Sequence, residues 1–393
     1  MTDRQLGTNG ARANGSAGSA SDDAPPARSP VAADQIPAVR TPGVKAPGVK
    51  AATIYDVARR ARVSPATVSR VMRDTAPVAR ATRQRVSDAM IELRFSPSRL
   101  GVSLAEGRHA ANGIVFPDLA GPYFAEVVLG YEEQAGELDR SVLILSAHGR
   151  PAARRKVMDL ANRVDGLVVL GRAVVDEVVA DVIAGGQPVV TLARQPIDGA
   201  DAINADNHTS AVALGAHLAA HGHRRFVLLG DAEESPDVAA RWSGLRSGLT
   251  TTVSDAPEMQ VEEVATFGFD VPSGVRAGRE LLGRPDRPDV VVCANDEIAL
   301  GVLEVAASLG IVVPDDLAVT GWDDVMAARW AGLTTVRQPM RELGAVAARV
   351  LDTRILGSTA GLRRELLPTE LVVRTSCGRH ERHDPAHHPE EDR

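Results

Sequence analysis

From residue 54 to about 104 the apolar positions recur at helical spacing: Ile54, Val57, Ala58 and Ala61 share one face, then Val68, Val71 and Met72, then Val86, Met90, Ile91 and Leu93. Short polar loops separate these runs, so the pattern predicts a small all-helical unit. From residue 112 the period changes. Short apolar runs rich in β-branched residues, GIVF (113–116), SVLIL (141–145), GLVVL (166–170), PVVTL (188–192), RFVLLG (225–230), VVVCA (290–294) and LAVTGW (317–322), alternate with helical stretches at 125–138, 152–163, 210–221 and 297–309. Strands that are continuously hydrophobic, with a helix after each, argue for parallel sheets covered on both faces. The stretch is long enough for one barrel or for two doubly wound lobes, and doubly wound sheets bind ligands beyond the carboxyl ends of their strands.

The two ends of the chain lack this order. Residues 1–52 are rich in Gly, Ala, Pro, Ser and Asp, hold no aromatic and repeat PGVKAPGVK at 42–50. They carry too little apolar surface to offset the entropy of ordering, so a disordered extension is expected. Residues 379–393, RHERHDPAHHPEEDR, hold four of the ten histidines and read as a frayed polar tail.

Composition narrows the class. The chain has 393 residues, 44% hydrophobic but only 3% aromatic, so valine, leucine and alanine must fill the core. The two cysteines, Cys293 and Cys377, cannot form a disulfide framework and read as packing thiols in a reducing compartment. No apolar run approaches the roughly 20 residues that span a bilayer, and no h-region opens the chain, so the expected location is cytoplasmic. The net charge of −7 is unevenly spread: residues 53–108 carry eleven arginines against five acids. A basic module joined to an acidic body can hold a polyanion with one part and repel it with the other.

Residues 53–72, TIYDVARRARVSPATVSRVM, read as two short helices about the turn Arg62-Val63-Ser64. The Ser64 hydroxyl can cap the second helix, and Pro65 takes its first position. This spacing puts Ala58, Val63 and Val68 at the helix crossing and leaves Pro65, Ala66, Ser69 and Arg70 outward. Only Arg70 among them can fork two hydrogen bonds onto a guanine edge, while Pro65 and Ala66 would rest on thymine methyls.

With these residues the segment resembles the DNA-binding domain of the LacI/GalR family of bacterial transcriptional regulators, and the resemblance runs on through VARATRQRVSDAMIELRFSPSRLGVSLAEGR (78–108). It implies a helix-turn-helix domain over 53–98, then a hinge helix and linker over 97–108. It implies a DNA-binding set in which Thr53, Ser64, Thr67, Ser69 and Thr82 touch phosphates, Arg73 belongs to the same surface, and Pro65, Ala66 and Arg70 face bases. Leu104 matches the leucine that, in paired hinge helices, wedges into the minor groove. Three residues depart from the family pattern. Arg62 stands where a turn glycine is common, and Gly101 and Val102 replace a hinge alanine and a polar hinge residue. Since Gly costs about 1 kcal/mol inside a helix, the hinge helix should be costly to form.

The resemblance continues over FPDLAGPYFAEVVLGYEEQA (116–135), RVDGLVVLG (163–171), HLAAHGHRRFVLLGD (217–231), CANDEIALGVLEVAASLGIVVPDDLAVTGWDD (293–324), LTTVRQP (333–339) and LLPTELVVRTS (366–376). It implies an α + α/β protein: the helix-turn-helix domain and hinge helix, then a two-lobed, doubly wound core at 111–378 like that of periplasmic sugar-binding proteins. Lobe 1 would take about 111–207 and 339–365, and lobe 2 about 208–338 and 366–378, with three crossovers between them. The cleft would be lined by Tyr123, Phe124, Arg241, Phe269, Asn295 and Asp323, with Trp322 nearby. An aromatic face suits an apolar sugar or base face, and Arg, Asn and Asp orient hydroxyls. Two further departures bear on the ligand: Ala193 replaces a frequent aspartate before Arg194, and EESPDVAAR (233–241) replaces a small-residue loop.

The implied partners are a pseudo-palindromic double-stranded operator, a second copy of the chain and a small effector, a sugar or nucleoside, with no cofactor, metal or membrane. An enzyme would be expected to show its own signature. The chain contains no G-x-G-x-x-G, no P-loop, no G-x-S-x-G elbow and no metal-spaced His/Cys set, and Asp323 and His208 pair as acid and base only on paper.

Overall fold

The computed structural model describes residues 52–73, 76–95, 109–147, 149–251, 259–266 and 268–378. The extension before residue 52, the hinge segment with Gly101, Val102 and Leu104, and the tail from 379 lie outside the described residues. The chain divides into two compact units, one within 1–95 and one within 96–393.

The first unit packs three helices, α1 (Ile54–Ala61), α2 (Pro65–Arg73) and α3 (Arg80–Glu92). Its core is Val57, Ala58, Ala61, Val68, Val86 and Ala89, with Val63, Val71, Met72 and Phe95 packed at the edge. Thr53 starts α1 through a capping box with Asp56. Ser64 starts α2 by accepting the Thr67 N–H on its hydroxyl at 3.1 Å. Between the helices Arg62 adopts φ 55°, ψ 49°, the left-handed conformation that glycine takes without strain, and its N–H closes back onto the Ala58 and Arg59 carbonyls.

The second unit is built on two parallel sheets. The first runs in the order β2 (Ser141–Ser146), β1 (Ala111–Phe116), β3 (Leu167–Leu170), β4 (Val189–Leu192), β5 (Asp201–Ala205) and β11 (Arg364–Leu367). On one face lie α4 (Pro122–Glu137) and α12 (Met340–Ile355), on the other α5 (Ala153–Ala161) and α6 (Asp176–Ala184). The crossing of α4 and α12 is so close that a Cβ on Gly130 or Gly344 would meet backbone at 2.0 or 2.1 Å. The second sheet runs β7 (Gln260–Val264), β6 (Arg225–Leu229), β8 (Val290–Cys293) and β9 (Ala318–Thr320). It packs among α7 (Asn207–Ala220), α8 (Pro236–Thr251), α9 (Val271–Leu282), α10 (Asp296–Ser308) and the short α11 (Met326–Trp330), around Phe226, Trp242, Ile298 and Trp322.

The chain passes between the lobes three times: after β5, between the short strand β10 (Thr335–Arg337) and α12, and between β11 and β12 (Glu370–Val372), which pairs with β10. Thr369 ties the third crossing to the first, its hydroxyl lying 2.7 Å from the Asp206 carbonyl and 2.8 Å from Ser210 Oγ. The last crossing falls after Leu367, inside the span expected for lobe 2. β11 (RELL) is a four-residue edge strand with one buried side chain, and its two leucines run on into the apolar stretch of β12, so the sequence does not mark where the lobe ends. Among the described residues no helix is long and apolar enough to cross a membrane.

Candidate DNA-binding surface and ligand cleft

In the first unit the expected DNA-facing residues sit around the start of α2. Ser64, Ala66 and Arg70 are exposed, and Pro65, Thr67 and Ser69 are half-buried. Ser64 Oγ lies 2.9 Å from Thr67 Oγ1, so both hydroxyls also hold the helix start in place. Thr53 donates its hydroxyl to Asp56 at 2.7 Å, which holds the Asp56 carboxyl below its usual range. Two helix N-termini are thus fixed by their own caps, and such termini offer N–H donors and positive dipole to phosphate. Thr82 is half-buried in the first turn of α3, within 3.5 Å of Arg85. For Arg73 the backbone closes α2, and its side chain lies outside the described atoms, as Leu104 does entirely.

In the second unit the carboxyl ends of both sheets converge on a cleft. Arg241, from α8, is 6% exposed and is the best-tethered of the expected residues. Its Nε donates to Asn207 Oδ1 at 2.9 Å, its Nη1 donates to the Ala294 carbonyl at 2.6 Å, and its guanidinium lies 4.7 Å from the Trp322 ring centroid. Asp323 follows Trp322 on a backbone with φ 117°, an unusual conformation for a residue with a Cβ. Its N–H donates to the Val336 carbonyl at 2.8 Å, and Arg374 and Arg337 grip the neighbouring Asp324. Strain held by surrounding bonds is what a preorganised site shows.

Burial pushes the Asp323 carboxyl well above the usual range, with Glu297 and Asp237 raising it further against Arg241 and the 2.5 Å hydrogen bond from Gln338. Tyr123 faces these groups from lobe 1: burial and the charges of Asp237 and Asp323 raise its phenol, against Arg241. Tyr123, Arg241, Asp323 and Trp322 are therefore brought together. Phe124 packs edge-on against Phe116 and Tyr123, at 5.8 and 5.4 Å between centroids, at the margin of the lobe 1 core. Asn295 spends its side chain within lobe 2, accepting the Ile298 N–H at 3.0 Å and donating to the Phe269 carbonyl at 2.8 Å. Phe269 is 39% exposed and so is not a core residue. Arg194 is a lobe 1 brace, donating to the Gly171 and Val174 carbonyls and pairing with Asp176. His208 is exposed at the start of α7, and its N–H caps onto Asp206.

Three buried or half-buried groups belong to this region although sequence reading did not single them out. Asp237 lies one helical turn before Arg241, and burial raises its carboxyl. Gln338 supplies the hydrogen bond to Asp323 from the second crossover. Asp296 accepts the Thr335 hydroxyl at 2.6 Å and the Val325 N–H at 2.9 Å, and burial, then Asp323, push its carboxyl up. Only the placing of Asp237 in a departure from the family pattern gave a signal. The lobes approach at the cleft rim, where Arg172 of lobe 1 lies 3.6 Å from Glu234 of lobe 2 and a Cβ on Gly121 would come within 2.4 Å of Glu297 Oε2.

A helix-turn-helix unit followed by a two-lobed receptor core defines a ligand-responsive DNA-binding regulator. Residues 53–98 match the description of bacterial regulatory proteins of the lacI family, and residues 216–377 match a periplasmic binding protein-like domain. The chain is 30% identical over 332 residues to the HTH-type transcriptional repressor CytR of Escherichia coli (strain K12), covering 83% of this chain and 96% of that repressor. It resembles the lac repressor dimer bound to operator and the anti-inducer ONPF, with a TM-score of 0.73 and 28% identity over 84% of this chain and 100% of that one. A LacI family regulator from Enterococcus faecium with bound ribose gives a TM-score of 0.63 and 25% identity, over 69% of this chain and 100% of that one. The chain belongs to the lacI family of bacterial regulatory proteins, whose members are transcriptional regulators rather than enzymes.

Proposed function

We propose that the chain is a cytoplasmic repressor that binds a pseudo-palindromic operator as a homodimer and is controlled by a small polyhydroxylated ligand, a sugar or nucleoside, held between its lobes. The observation that carries this reading is the Arg241 guanidinium, fixed over Trp322 beside Asp323 and facing Tyr123. The Tyr123 ring offers a face to the apolar side of a sugar or base, while Arg241 and Asp323 offer a donor fork and an acceptor to its hydroxyls. The ribose in the Enterococcus faecium relative and the ONPF in the lac repressor complex support a ligand of this size. On DNA, Arg70 reads a base edge, Pro65 and Ala66 lie against bases, and Thr53, Ser64, Thr67, Ser69, Arg73 and Thr82 hold the backbone, with Leu104 at the minor groove. Catalysis has no part in this reading: Asp323 accepts a hydrogen bond from Gln338 and acts as a ligand-orienting acceptor.

Coupling between the two sites in such proteins is typically ~1–3 kcal/mol, so the ligand should shift operator affinity by roughly 5–150-fold. The test is Arg70→Ala, assayed by gel shift and by ligand-induced thermal stabilisation. The reading expects weakened operator binding with ligand binding intact. Unchanged operator affinity and unchanged discrimination at every base position would contradict it.

A further inference from the structure

At the end of lobe 2 opposite the cleft, three side chains with metal-binding chemistry meet. His217 and His221 stand one turn apart at the C-terminal end of α7, with ring centroids 4.8 Å apart. Cys377 comes from the end of the described chain, 160 residues beyond His217, and its Sγ lies 3.3 Å from His217 Nε2. One ligand atom from each of the three falls within 4.8 Å of the other two. In a tetrahedral site with bonds of about 2.0–2.3 Å, the distances of zinc to nitrogen and sulfur, donors stand roughly 3.3–3.6 Å apart, so the His217–Cys377 pair is already at that spacing and the widest pair closes by about 1 Å on binding.

The surroundings hold the three in position. His223 Nε2 lies 3.1 Å from the Cys377 carbonyl, fixing the ligand residue's backbone. Thr334 Oγ1 lies 3.0 Å from Cys377 Sγ, a polar group that can support a thiolate. Gly378 packs so closely on His221 that a Cβ there would lie 2.5 Å from its Nδ1. The imidazoles are half-buried and the cysteine is fully buried, so among the described residues the cluster opens to solvent through its histidines.

We propose that His217, His221 and Cys377 form a binding site for a late first-row transition metal of the zinc class. Two imidazole nitrogens and a thiolate sulfur are the donor set such ions prefer, and one that magnesium and calcium do not. Coordination replaces the Sγ–H bond by an Sγ–metal bond, and the thiol proton leaves to solvent. Three protein donors leave a fourth tetrahedral position to water. The bound ion joins the C-terminal segment to α7, the helix whose first residue, Asn207, accepts from Arg241 in the cleft. The site corrects the expectation of no metal-spaced His/Cys set: His217 and His221 hold the i, i+4 spacing of a helical ligand pair, while the third ligand lies 160 residues beyond His217 and is brought in by the fold alone.

The test is titration of the full chain with Co²⁺ as a spectroscopic probe, followed by competition with Zn²⁺. The expected result is one equivalent bound, with a thiolate-to-cobalt charge-transfer band that Zn²⁺ abolishes. Cys377→Ser and His221→Gln should each weaken binding by at least the ~10–100-fold that loss of a mere supporting contact costs a metal site. Both variants should keep the parent's circular dichroism, and His221→Gln should also keep its metal-free melting. A chain with glutamine at 380, 383, 387 and 388, where the tail histidines stand, should retain the band and the stoichiometry. Absence of the charge-transfer band in the parent chain overturns the proposal. So does binding that survives both His221→Gln and Cys377→Ser but disappears when the tail histidines are replaced.

Discussion

The guanidinium of Arg241 lies 4.7 Å from the ring centroid of Trp322, joining α8 to the segment that carries Asp323. Its other bonds reach the start of α7 and the end of β8, so one cation fixes α8 against three other elements at the cleft. Arg241→Met keeps the length of the side chain and removes the cation, leaving the Asn207 and Ala294 acceptors unpaired. A loss of about 1–3 kcal/mol in urea unfolding is expected from those acceptors. Ligand-dependent change in operator affinity should disappear while operator binding itself persists, as read by gel shift with and without ligand. Retained ligand response in this variant would remove Arg241 from the effector site.

Arg62 tests the cost of a local departure. At φ 55° a residue with a Cβ is strained, and no side-chain rearrangement relieves a backbone angle. Arg62→Gly should stabilise the helix-turn-helix unit by up to about 1.6 kcal/mol, the ~1–2 kcal/mol left-handed penalty less the ~0.4–1 kcal/mol of extra unfolded-chain entropy of glycine. Denaturant unfolding followed by a probe in this unit measures it, and a destabilised variant would show that the Arg62 side chain supports the fold.

Ser64 and Arg70 separate fold from recognition on one helix. Ser64→Ala removes the hydroxyl that accepts the Thr67 N–H and should cost about 1 kcal/mol of stability. Arg70→Lys keeps the charge but not the planar fork, and should lose ~1–3 kcal/mol of discrimination at a single base pair. Binding to a set of single-base operator variants distinguishes this from a uniform loss, which would make Arg70 a phosphate contact.

The elements legible in the sequence were those whose signal is local. The Arg62-Val63-Ser64 turn, the Ser64 cap and the apolar β1, β3, β4 and β8 each declare themselves within a few residues. β5 (DAINA) and β7 (QVEEV) do not, the first because small and polar residues fill a buried strand, the second because it lies at a sheet edge with mostly exposed side chains. In the cleft, Arg241, Trp322 and Asp323 were legible through family spacing. Gln338 and Asp296 were not, because their roles arise from hydrogen bonds between loops distant in sequence. Family spacing assigns Asn295 to the cleft, whereas its side-chain hydrogen bonds cap the start of α10 and hold the loop before α9, a role that spacing alone does not separate from ligand binding.

Asp296 makes stability depend on pH. Burial, then the charge of Asp323, raises its carboxyl above the ordinary 3.8, and burial likewise raises Asp323. Above 3.8 the unfolded chain releases protons that the folded chain still holds. At this site the native state then binds more protons than the unfolded state, and the site's contribution to stability falls as pH rises toward neutrality. Asp296→Asn removes one titrating group and can keep both partners, accepting from Val325 and donating to the Thr335 hydroxyl. Its stability should fall less over that range. Equal slopes for parent and variant in urea unfolding at a series of pH values would contradict the assignment.

The central claim is that one chain couples a cleft ligand to recognition of a specific DNA site. It is tested most directly by selecting binding sites from random duplex DNA with the purified protein, then titrating the selected site in the presence of a panel of sugars and nucleosides. The expected result is an enriched two-fold-symmetric sequence whose affinity one compound changes by roughly 5–150-fold. Failure to enrich any sequence at low salt, or an enriched site whose affinity no panel compound changes even though one of them binds the core, would contradict it.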